Sequence, residues 1–342
     1  MVLPHDQEKK AIRTRGGGIF VDPDAVNLHG NDFSLGEKLA ELSTEERNIV
    51  QDYFEIYERC FLRISREPFH ASPVPSATGC HSWDSHYAVN KRHFPLKNYI
   101  ILAFPLLKTI CSEQNGKCKY VVECGCGTGS TLLPIMRQFE EGVHFIGFDV
   151  SSTAVSTLLE HPIAKHFVEL HRLDAFTYDI CGGGTSHLEE PVLTKRRTEH
   201  DRLKNTIIEK VPGCSSGINI AILVFVLSSL PSLESMVYAL KEIRSTLCKD
   251  GVLLFRDYAF PDHNFFRFIK QKNKKYNDLS FCKGDGTLQM FFEINFTKKL
   301  FALAGFKEAE GHELQYHCNR IFNRKNGKKM DKIFINGSFC LA

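Results

Sequence analysis

The sequence lacks a long hydrophobic run and a surplus of charge of one sign. Its longest mainly apolar stretch, residues 218–230, is too short to cross a bilayer as a helix, so we expect no membrane-spanning segment. The chain has 43 lysines and arginines against 40 aspartates and glutamates, which gives a net charge of +3. Overall charge therefore identifies no partner, and a surface for nucleic acid would need an uneven distribution of charge.

The sequence also lacks the cysteine spacing of a zinc site or of a disulfide framework. Its 12 cysteines accompany no recognisable secretory leader, so we expect reduced thiols and a cytoplasmic protein, with a nuclear pool left open. Cys111, Cys118, Cys124 and Cys126 cluster without paired C-x-x-C spacing, and no metal site is expected. The remaining composition, 43% hydrophobic and 24% charged residues, is typical of a soluble globular protein.

Apolar segments of strand length alternate with helical segments from Lys119 onwards. This alternation predicts a parallel sheet covered by helices on both faces. Residues 180–217 interrupt the pattern and are predicted to be an inserted loop. Before the sheet, a capping box at residues 43–46 predicts a helix that reaches about Leu62. The predicted strands are residues 119–124, 143–149, 167–173, 218–227, 251–257, 306–312 and 331–339.

A glycine loop follows the first predicted strand. Gly125, Gly127 and Gly129 stand at alternate positions, and a helical pattern follows them. Glycines let the backbone approach a ligand that a Cβ atom would exclude, and strand, loop and helix together build a nucleotide-like site. The spacing is not the G-x-G-x-x-G of dinucleotide-binding proteins, because Ser130 occupies the third position. The alternative interpretation is a glycine-rich turn without a ligand.

Asp149 supports the ligand interpretation. It ends the second predicted strand, 20 residues after Gly129, where a carboxylate reaches both ribose hydroxyls of an adenosine group. Ser151 is predicted to cap the helix that follows. As the alternative, Asp149 would be only a capping residue. The two motifs together favour a cofactor with an adenosine moiety.

The E-x-G-x-G-x-G loop resembles the first motif of class I S-adenosylmethionine methyltransferases. Further segments, in order, resemble the methyltransferase-like family that makes 3-methylcytidine in tRNA anticodon loops. The resemblance covers residues 83–339 and extends more weakly to 20–23. The segments are residues 82–87 (S-W-D-S-H-Y), 225–229 (F-V-L-S-S), 255–258 (F-R-D-Y), 284–287 (G-D-G-T), 291–292 (F-F), 323–324 (N-R) and Met330.

This resemblance implies an α/β fold of the class I methyltransferase (Rossmann-like) type. We expect a mostly parallel seven-stranded sheet with helices on both faces, and an N-terminal helical extension. The expected segments are a flexible N-terminus (1–41), a helical RNA-binding extension (42–107) and a methyltransferase domain (108–342). The implied cofactor is S-adenosylmethionine, and its predicted binding residues are Glu123, Gly125, Gly127, Gly129, Asp149, Asp174, Ala175 and Phe225.

The sequence departs from the family pattern at several places. Asn98 and Tyr99 replace a histidine and a tryptophan, although Lys97 keeps a positive charge. Lys283 replaces an arginine before G-D-G-T, and Asn219 replaces an aspartate at the start of the fourth strand. The resemblance implies tRNA as substrate, with position 32 of the anticodon loop as the target. It also implies a possible partner, seryl-tRNA synthetase or another adaptor.

The implied reaction needs no general base, because N3 of neutral cytosine carries a free lone pair and no proton. Rate would come from positioning and from anionic or dipolar groups that face the developing ring charge. We predict this role for Asp257, with Arg256 and Ser228 as further catalytic residues. The alternatives are a structural Arg256–Asp257 pair, and Ser228 and Ser229 as helix caps.

Three basic clusters are candidates for RNA contacts, through phosphate binding and base stacking. In one of them, basic residues interleave with Phe265, Phe266, Phe268 and Tyr276. The alternative for each cluster is an ordinary solvated face. The predicted RNA-binding residues are Lys91, Arg92, Lys97, Tyr99, Lys270, Lys272, Lys274, Arg320 and Arg324.

Two other functions remain open from the sequence. The chain could methylate a protein or a small molecule, in which case the basic clusters would not matter for activity. It could also be a catalytically silent tRNA-binding adaptor. The intact glycine loop and Asp149 argue against the silent adaptor, which would not need both.

Overall fold

The computed structural model describes residues 30–66, 79–90, 96–113, 116–181, 202–322 and 327–342, without the side chains of residues 79–82 and Lys272. Residues 1–29 of the predicted flexible N-terminus and residues 182–201 of the predicted inserted loop lie outside these ranges. The described parts of these two segments contain helices that the sequence did not predict, at Leu35–Ala40 and Leu203–Lys210. Within the described ranges, five helices precede the sheet. They are α1 (Leu35–Ala40), α2 (Thr44–Arg66), α3 (Gly79–Val89), α4 (Ile100–Ala103) and α5 (Pro105–Cys111).

Ten strands follow in the described part of the chain. They are β1 (Lys119–Cys124), β2 (Val143–Asp149), β3 (Leu173–Thr177), β4 (Ile218–Val224), β5 (Leu247–Tyr258), β6 (Ser280–Cys282), β7 (Leu288–Met290), β8 (Phe306–Glu308), β9 (Gln315–Phe322) and β10 (Lys329–Leu341). Eight of them form one sheet of order β3-β2-β1-β4-β5-β10-β8, in which β9 pairs with β10. The first five of this order are parallel, and β10 runs antiparallel to β5, β8 and β9. The predicted Rossmann-like sheet is confirmed, with β9 as an additional strand.

Helices cover both faces of this sheet. Those that follow β1 are α6 (Leu132–Met136), α7 (Ser152–Glu160), α8 (Pro162–Glu169), α9 (Leu203–Lys210), α10 (Leu233–Thr246), α11 (His263–Ile269) and α12 (Ile294–Leu303). One apolar cluster takes its residues from α4 to α8, and the other from α2 and α9 to α12. Alternate residues of β1 enter opposite clusters, since Val121 faces one and Val122 the other. None of the described helices is long and apolar enough to cross a membrane.

One predicted strand is wrong. Residues 167–173 were expected to form the third strand, but residues up to Glu169 belong to α8 and the strand begins at Leu173. Helix α8 has His161 as its N-cap, whose ring accepts a hydrogen bond from the Ile163 amide, and Pro162 at its first position. These signals start a helix, and they outweigh the alternation of apolar and polar residues that suggested a strand.

Helix α2 is part of the core. The predicted capping box is confirmed, because the Glu46 amide donates to Ser43 Oγ (3.2 Å) and the Ser43 amide donates to a Glu46 carboxylate oxygen (3.1 Å). Val50, Tyr53, Tyr57, Cys60 and Ile64 form its buried stripe. The Tyr57 hydroxyl donates to the backbone carbonyl of Phe291 at 2.5 Å. The predicted N-terminal extension therefore shares its apolar core with the sheet.

Candidate cofactor and acceptor site

A cavity of about 360 Å³ opens at the carboxyl ends of β1 and β4. The strand order reverses at β1, since β2 lies on one side of it and β4 on the other. Ligands of open α/β sheets bind in the crevice outside such a reversal. The cavity walls come from the glycine loop after β1, from the ends of β2 to β5, from α3, and from the β6–β7 hairpin. The volume is within the usual range for a small-molecule site.

The glycine loop forms one wall with its backbone. Gly127 and Gly129 have φ angles of +52° and +86°, in the left-handed region that favours glycine. A Cβ on Gly127 would lie 2.6 Å from the Tyr87 hydroxyl, and one on Gly129 would lie 2.5 Å from a Leu158 methyl group. Only glycine fits these two positions. Gly127 lines the cavity with its backbone, whereas Gly129, also predicted to bind the cofactor, packs against Leu158 in the core and does not line the cavity.

Asp149 ends β2 at the cavity. Its two carboxylate oxygens accept hydrogen bonds from the amides of Gly127 (2.8 Å) and Ser151 (2.9 Å). Burial raises the pKa of Asp149 to about 6, although these amide donors oppose the shift. Ser151 caps α7, as predicted, by accepting from the Ala154 amide. Asp149 thus holds the glycine loop and still presents lone pairs to the cavity.

A buried acid–base pair occupies another part of the wall. Burial raises the pKa of Glu123 and lowers the pKa of Lys97, and the attraction between the two groups opposes both shifts. Lys97 Nζ also donates to the hydroxyls of Ser130 and Thr131 (3.3 Å for Thr131). Glu123 Oε2 is buried without a hydrogen-bond partner among the described residues. A ligand with an ammonium and a carboxylate group would complement this pair.

Aromatic residues form the part of the cavity at the end of β4. Phe225 has a φ of +61°, which is rare for a residue with a side chain, and its amide donates to the Arg256 carbonyl at 2.9 Å. Its ring lies 4.7 Å from that of Tyr258, between centroids. Backbone conformations of this kind cluster at functional sites. Phe225, which the resemblance predicts to bind the cofactor, lines the cavity.

Arg256 and Asp257 lie behind the cavity wall. Asp257 is fully buried, and its carboxylate accepts from the amides of Ser228 (2.9 Å) and Tyr258 (2.8 Å). Burial raises the pKa of Asp257 to about 7. The Arg256 guanidinium lies between the rings of Tyr99 (5.3 Å) and Phe334 (4.6 Å), and its Nη2 lies 2.8 Å from His317 Nδ1.

Ser228 lines the cavity in a short 3-10 turn, Leu227–Ser229. The N-cap of α10 is Ser232, whose Oγ accepts from the Ser235 amide. Neither Ser228 nor Ser229 caps that helix. Of the three predicted catalytic residues, only Ser228 lines the cavity. Asp257 contacts the cavity lining through the backbone amides of Ser228 and Tyr258.

Helix α3 and the turn of the β6–β7 hairpin close the opposite side of the cavity. Trp83 and His86 come from the helix, and Lys283 comes from the hairpin. His86 Nδ1 lies 3.0 Å from an Asp285 carboxylate oxygen, and Lys283 Nζ lies 5.4 Å from the centre of the Trp83 ring. The sequence supplied both segments as family motifs but gave these residues no role.

The prediction chose the wrong end of β3 for the cofactor. Asp174 and Ala175 stand in the first part of this strand, and Asp174 accepts from His144 Nε2 at 2.7 Å. The residues that reach the cavity are 178–181, directly after the strand. The third strand was predicted to end at residue 173, whereas it begins at Leu173. Asp179, a carboxylate after an apolar run, was the signal that could have corrected it.

The predicted RNA-binding residues do not share one environment. Lys97 and Tyr99 are partly buried: Lys97 lines the cavity, and the Tyr99 ring lies against the Arg256 guanidinium. Arg320 pairs with Asp331 (2.8 Å) and Glu41 (3.4 Å), so its charge is neutralised. Lys270 is exposed at the end of α11, and Lys274 lies just beyond it. Lys91, Arg92, Arg324 and the side chain of Lys272 lie outside the described residues.

Most of the aromatic residues around Lys270 are unavailable for base stacking. Phe265, Phe266 and Phe268 are buried in the core of the sheet. Tyr276 is 44% exposed. The interleaved pattern therefore reflects one buried face of α11 and one basic face beside it.

Comparison with known proteins places the chain among methyltransferases. The profile of a family described as "Methyltransferase domain" matches residues 101–310. The tRNA N(3)-cytidine methyltransferase METTL6 of Rattus norvegicus is 25% identical over 75% of this chain and 78% of its own length. O-methyltransferase 3 of Dictyostelium discoideum is 27% identical over 64% of this chain, which covers only 43% of that protein.

A solved structure of a SAM-dependent methyltransferase from Anabaena variabilis has the same fold. Its TM-score is 0.52 at 13% identity, over 79% of this chain and 99% of that one. At this identity the match shows the fold alone. The predicted resemblance to the tRNA 3-methylcytidine methyltransferases is confirmed by the relatives that carry this name.

Proposed function

We propose that this chain, which belongs to the methyltransferase domain family, methylates N3 of a cytidine in the anticodon loop of tRNA, at position 32. The observation that carries the proposal is the match to a tRNA N(3)-cytidine methyltransferase over three quarters of each chain. The predicted cofactor, S-adenosylmethionine, is confirmed at the level of family and fold. The group that receives the methyl remains part of the proposal.

The cavity offers a complementary group for each polar part of this cofactor. We assign the ribose hydroxyls to Asp149, and the ammonium and carboxylate of the methionine part to Glu123 and Lys97. The buried Glu123 oxygen without a partner fits an ammonium donor. The segment 178–181 after β3 would flank the adenine. The Gly127 backbone completes the cradle, because a side chain there would collide with Tyr87 in the cavity wall.

The aromatic end of the cavity suits a flat acceptor. Trp83, Phe225 and Tyr258 offer ring faces, and stacking on aromatic side chains is how proteins hold unpaired bases. A cytidine in a loop can be turned into such a pocket at a modest energetic cost. The pocket therefore supports a nucleobase as the methyl acceptor.

The proposed reaction requires no proton acceptor. When bound, S-adenosylmethionine supplies a methyl group on a positively charged sulfur, and transfer to the N3 lone pair leaves a thioether and a cationic ring. The residues of this chain orient the base and place negative charge near the ring. Asp257 contributes here by holding the Ser228 and Tyr258 backbone at the end of the pocket.

Purified protein, tRNA and cofactor, with and without seryl-tRNA synthetase, test this function. Nucleoside mass spectrometry should find 3-methylcytidine, and mapping should place it at position 32. The rate should change little from about pH 7 to 9, because neutral cytosine N3 is free throughout this range. Methyl transfer to protein or to another nucleoside, with none to cytidine N3, would refute the proposal.

One observation favours a second function, methylation of a hydroxyl or amine. His86 lines the cavity and its Nδ1 lies 3.0 Å from Asp285, which is the arrangement of an imidazole general base oriented by a carboxylate. Such a base would remove the proton that an O–H or N–H acceptor must lose. A rate that rises with pH and falls sharply in a His86→Gln variant would favour this function over cytidine methylation.

A further inference from the structure

Lys283 is the cation on the acceptor side of the cavity. It begins the turn of the β6–β7 hairpin, where its amide donates to the Thr287 carbonyl at 2.8 Å. Its side chain is half-buried, lines the cavity and lies over the Trp83 ring. Burial lowers the pKa of Lys283, and the nearby carboxyl groups of Asp285 and Asp257 oppose this shift.

The hydrogen-bond donors of Lys283 Nζ have no acceptor within the described part of the protein. Neither a hydrogen bond nor an ion pair of this amine is present there; its described contact is the ring face of Trp83. Lys97, in the same cavity, differs because Ser130 and Thr131 both accept from its Nζ. Removing part of an ammonium group from water is unfavourable unless acceptors replace the lost water, so the half-buried Lys283 is suited to a ligand that supplies one.

The cofactor is not that ligand. The polar groups assigned to it, Asp149, Glu123 and Lys97, stand along the glycine loop and the ends of β1 and β2. Lys283 instead comes from the hairpin and faces the cavity beside Trp83, near the buried carboxyl of Asp257 at the end of β5. This is the aromatic end, where the acceptor base would lie.

We propose that Lys283 donates a hydrogen bond to the O2 carbonyl oxygen of the target cytosine. The proposal rests on the cytidine function above. O2 is bonded to the carbon next to N3, so a donor at O2 orients the N3 lone pair, and no proton changes place. A phosphate is the less suitable partner, because burying its full charge beside the aromatic rings costs more than burying a carbonyl. The neighbouring Asp285 and Asp257 offset the repulsion between Lys283 and the cationic product.

The test compares Lys283→Met, which keeps the chain length without donors, with Lys283→Arg, which keeps a donor. Lys307→Met, on the exposed edge strand β8, is the matched control. For methylation of tRNA cytidine, Lys283→Met should lower kcat/KM about 10- to 100-fold, as expected for losing a hydrogen bond to a charged group. Lys283→Arg should retain most activity. Cofactor affinity, measured by calorimetry, should be unchanged in all three variants.

A modified substrate separates the carbonyl from a phosphate. tRNA assembled from two halves can carry 2-thiocytidine at the target, and sulfur accepts hydrogen bonds poorly. The thio substitution should lower the methylation rate of the wild type but should lower the rate of Lys283→Met little further. Such non-additive effects are expected when the two altered groups are in direct contact. Independent, additive losses would assign Lys283 to a phosphate and overturn the proposal. Full activity of Lys283→Met would also overturn it while leaving the cytidine function intact. Failure of the wild type to methylate cytidine would instead refute the function itself.

Discussion

Replacing Asp149 with asparagine tests the cofactor site most directly. The carboxylate accepts from the Gly127 and Ser151 amides at 2.8 and 2.9 Å and, in our assignment, from both ribose hydroxyls. The asparagine side chain keeps one acceptor oxygen. Its NH2 group replaces the other oxygen and faces a backbone amide or a ribose hydroxyl, which is itself a donor. Losing one charge-assisted hydrogen bond of this kind costs about 1.5–3 kcal/mol, or roughly 10- to 100-fold in affinity.

Isothermal calorimetry with S-adenosylmethionine at pH 7.5 measures this effect. Asp174→Asn is the matched control, because that carboxylate bonds to His144 in the first part of β3 and should not affect cofactor affinity. A thermal melt of each variant shows whether the fold persists. If folded Asp149→Asn binds as tightly as the wild type, or if Asp174→Asn loses as much affinity, the assignment is wrong.

The pKa of Asp149 adds a pH dependence with a definite sign. Since burial raises this pKa to about 6 and the ionised form accepts the ribose hydroxyls, cofactor affinity should fall as the pH drops through 6. The stability of the cofactor-free protein should depend on pH in the opposite direction. A folded-state pKa raised above its ordinary value stabilises the fold at low pH, and this contribution is lost as the pH rises through 6. In Asp149→Asn both dependences should disappear.

Three further predictions follow from other contacts. Tyr57→Phe should lower the free energy of unfolding by about 1–3 kcal/mol without changing cofactor affinity, because the buried Phe291 carbonyl loses its donor; an unchanged denaturation midpoint would contradict this. Asp257→Asn should reduce turnover more than tRNA affinity, since it loosens the pocket's backbone, and equal losses in kinetic and binding assays would leave it a structural role only. Reversing Lys270 and Lys274 to glutamate should weaken tRNA binding and lower its salt slope by about 2, with cofactor affinity unchanged; an unaltered slope would make them plain surface residues.

The sequence located the glycine loop and the carboxylate at the end of β2, because the requirements of these two features are local. A left-handed backbone at Gly127 and a carboxylate at the end of β2 leave direct marks in the order of residues. The acceptor end is different. Trp83 and Lys283 are 200 residues apart in the sequence, and they meet only because α3 and the β6–β7 hairpin fold against each other.

Around Lys270 and Asp257, packing decides which side chains are accessible, and the sequence pattern does not show it. The phenylalanines beside Lys270 suggested stacking on bases, yet their helix turns that face into the core. Asp257 and Arg256 stood together in a family motif, but adjacent residues of a strand point to opposite faces of the sheet. Asp257 therefore lies behind the cavity wall, where it accepts hydrogen bonds from the Ser228 and Tyr258 amides, and Arg256 lies between the rings of Tyr99 and Phe334 on the other face.

The placement of α2 and β10 affects how a smaller version of this protein should be designed. The matched family profile ends at residue 310 and begins at 101, so a fragment cut to those bounds omits both elements. Without β10, the long strand β5 would lose its antiparallel neighbour and expose a row of unpaired backbone groups. Without α2, the rings of Phe260 and Phe265 would lose the contact of Tyr53 and meet water. A fragment that keeps this core intact is therefore larger than the shared domain. Phe33 and Leu42 belong to the same core, so expression trials should keep residues 30–342 together.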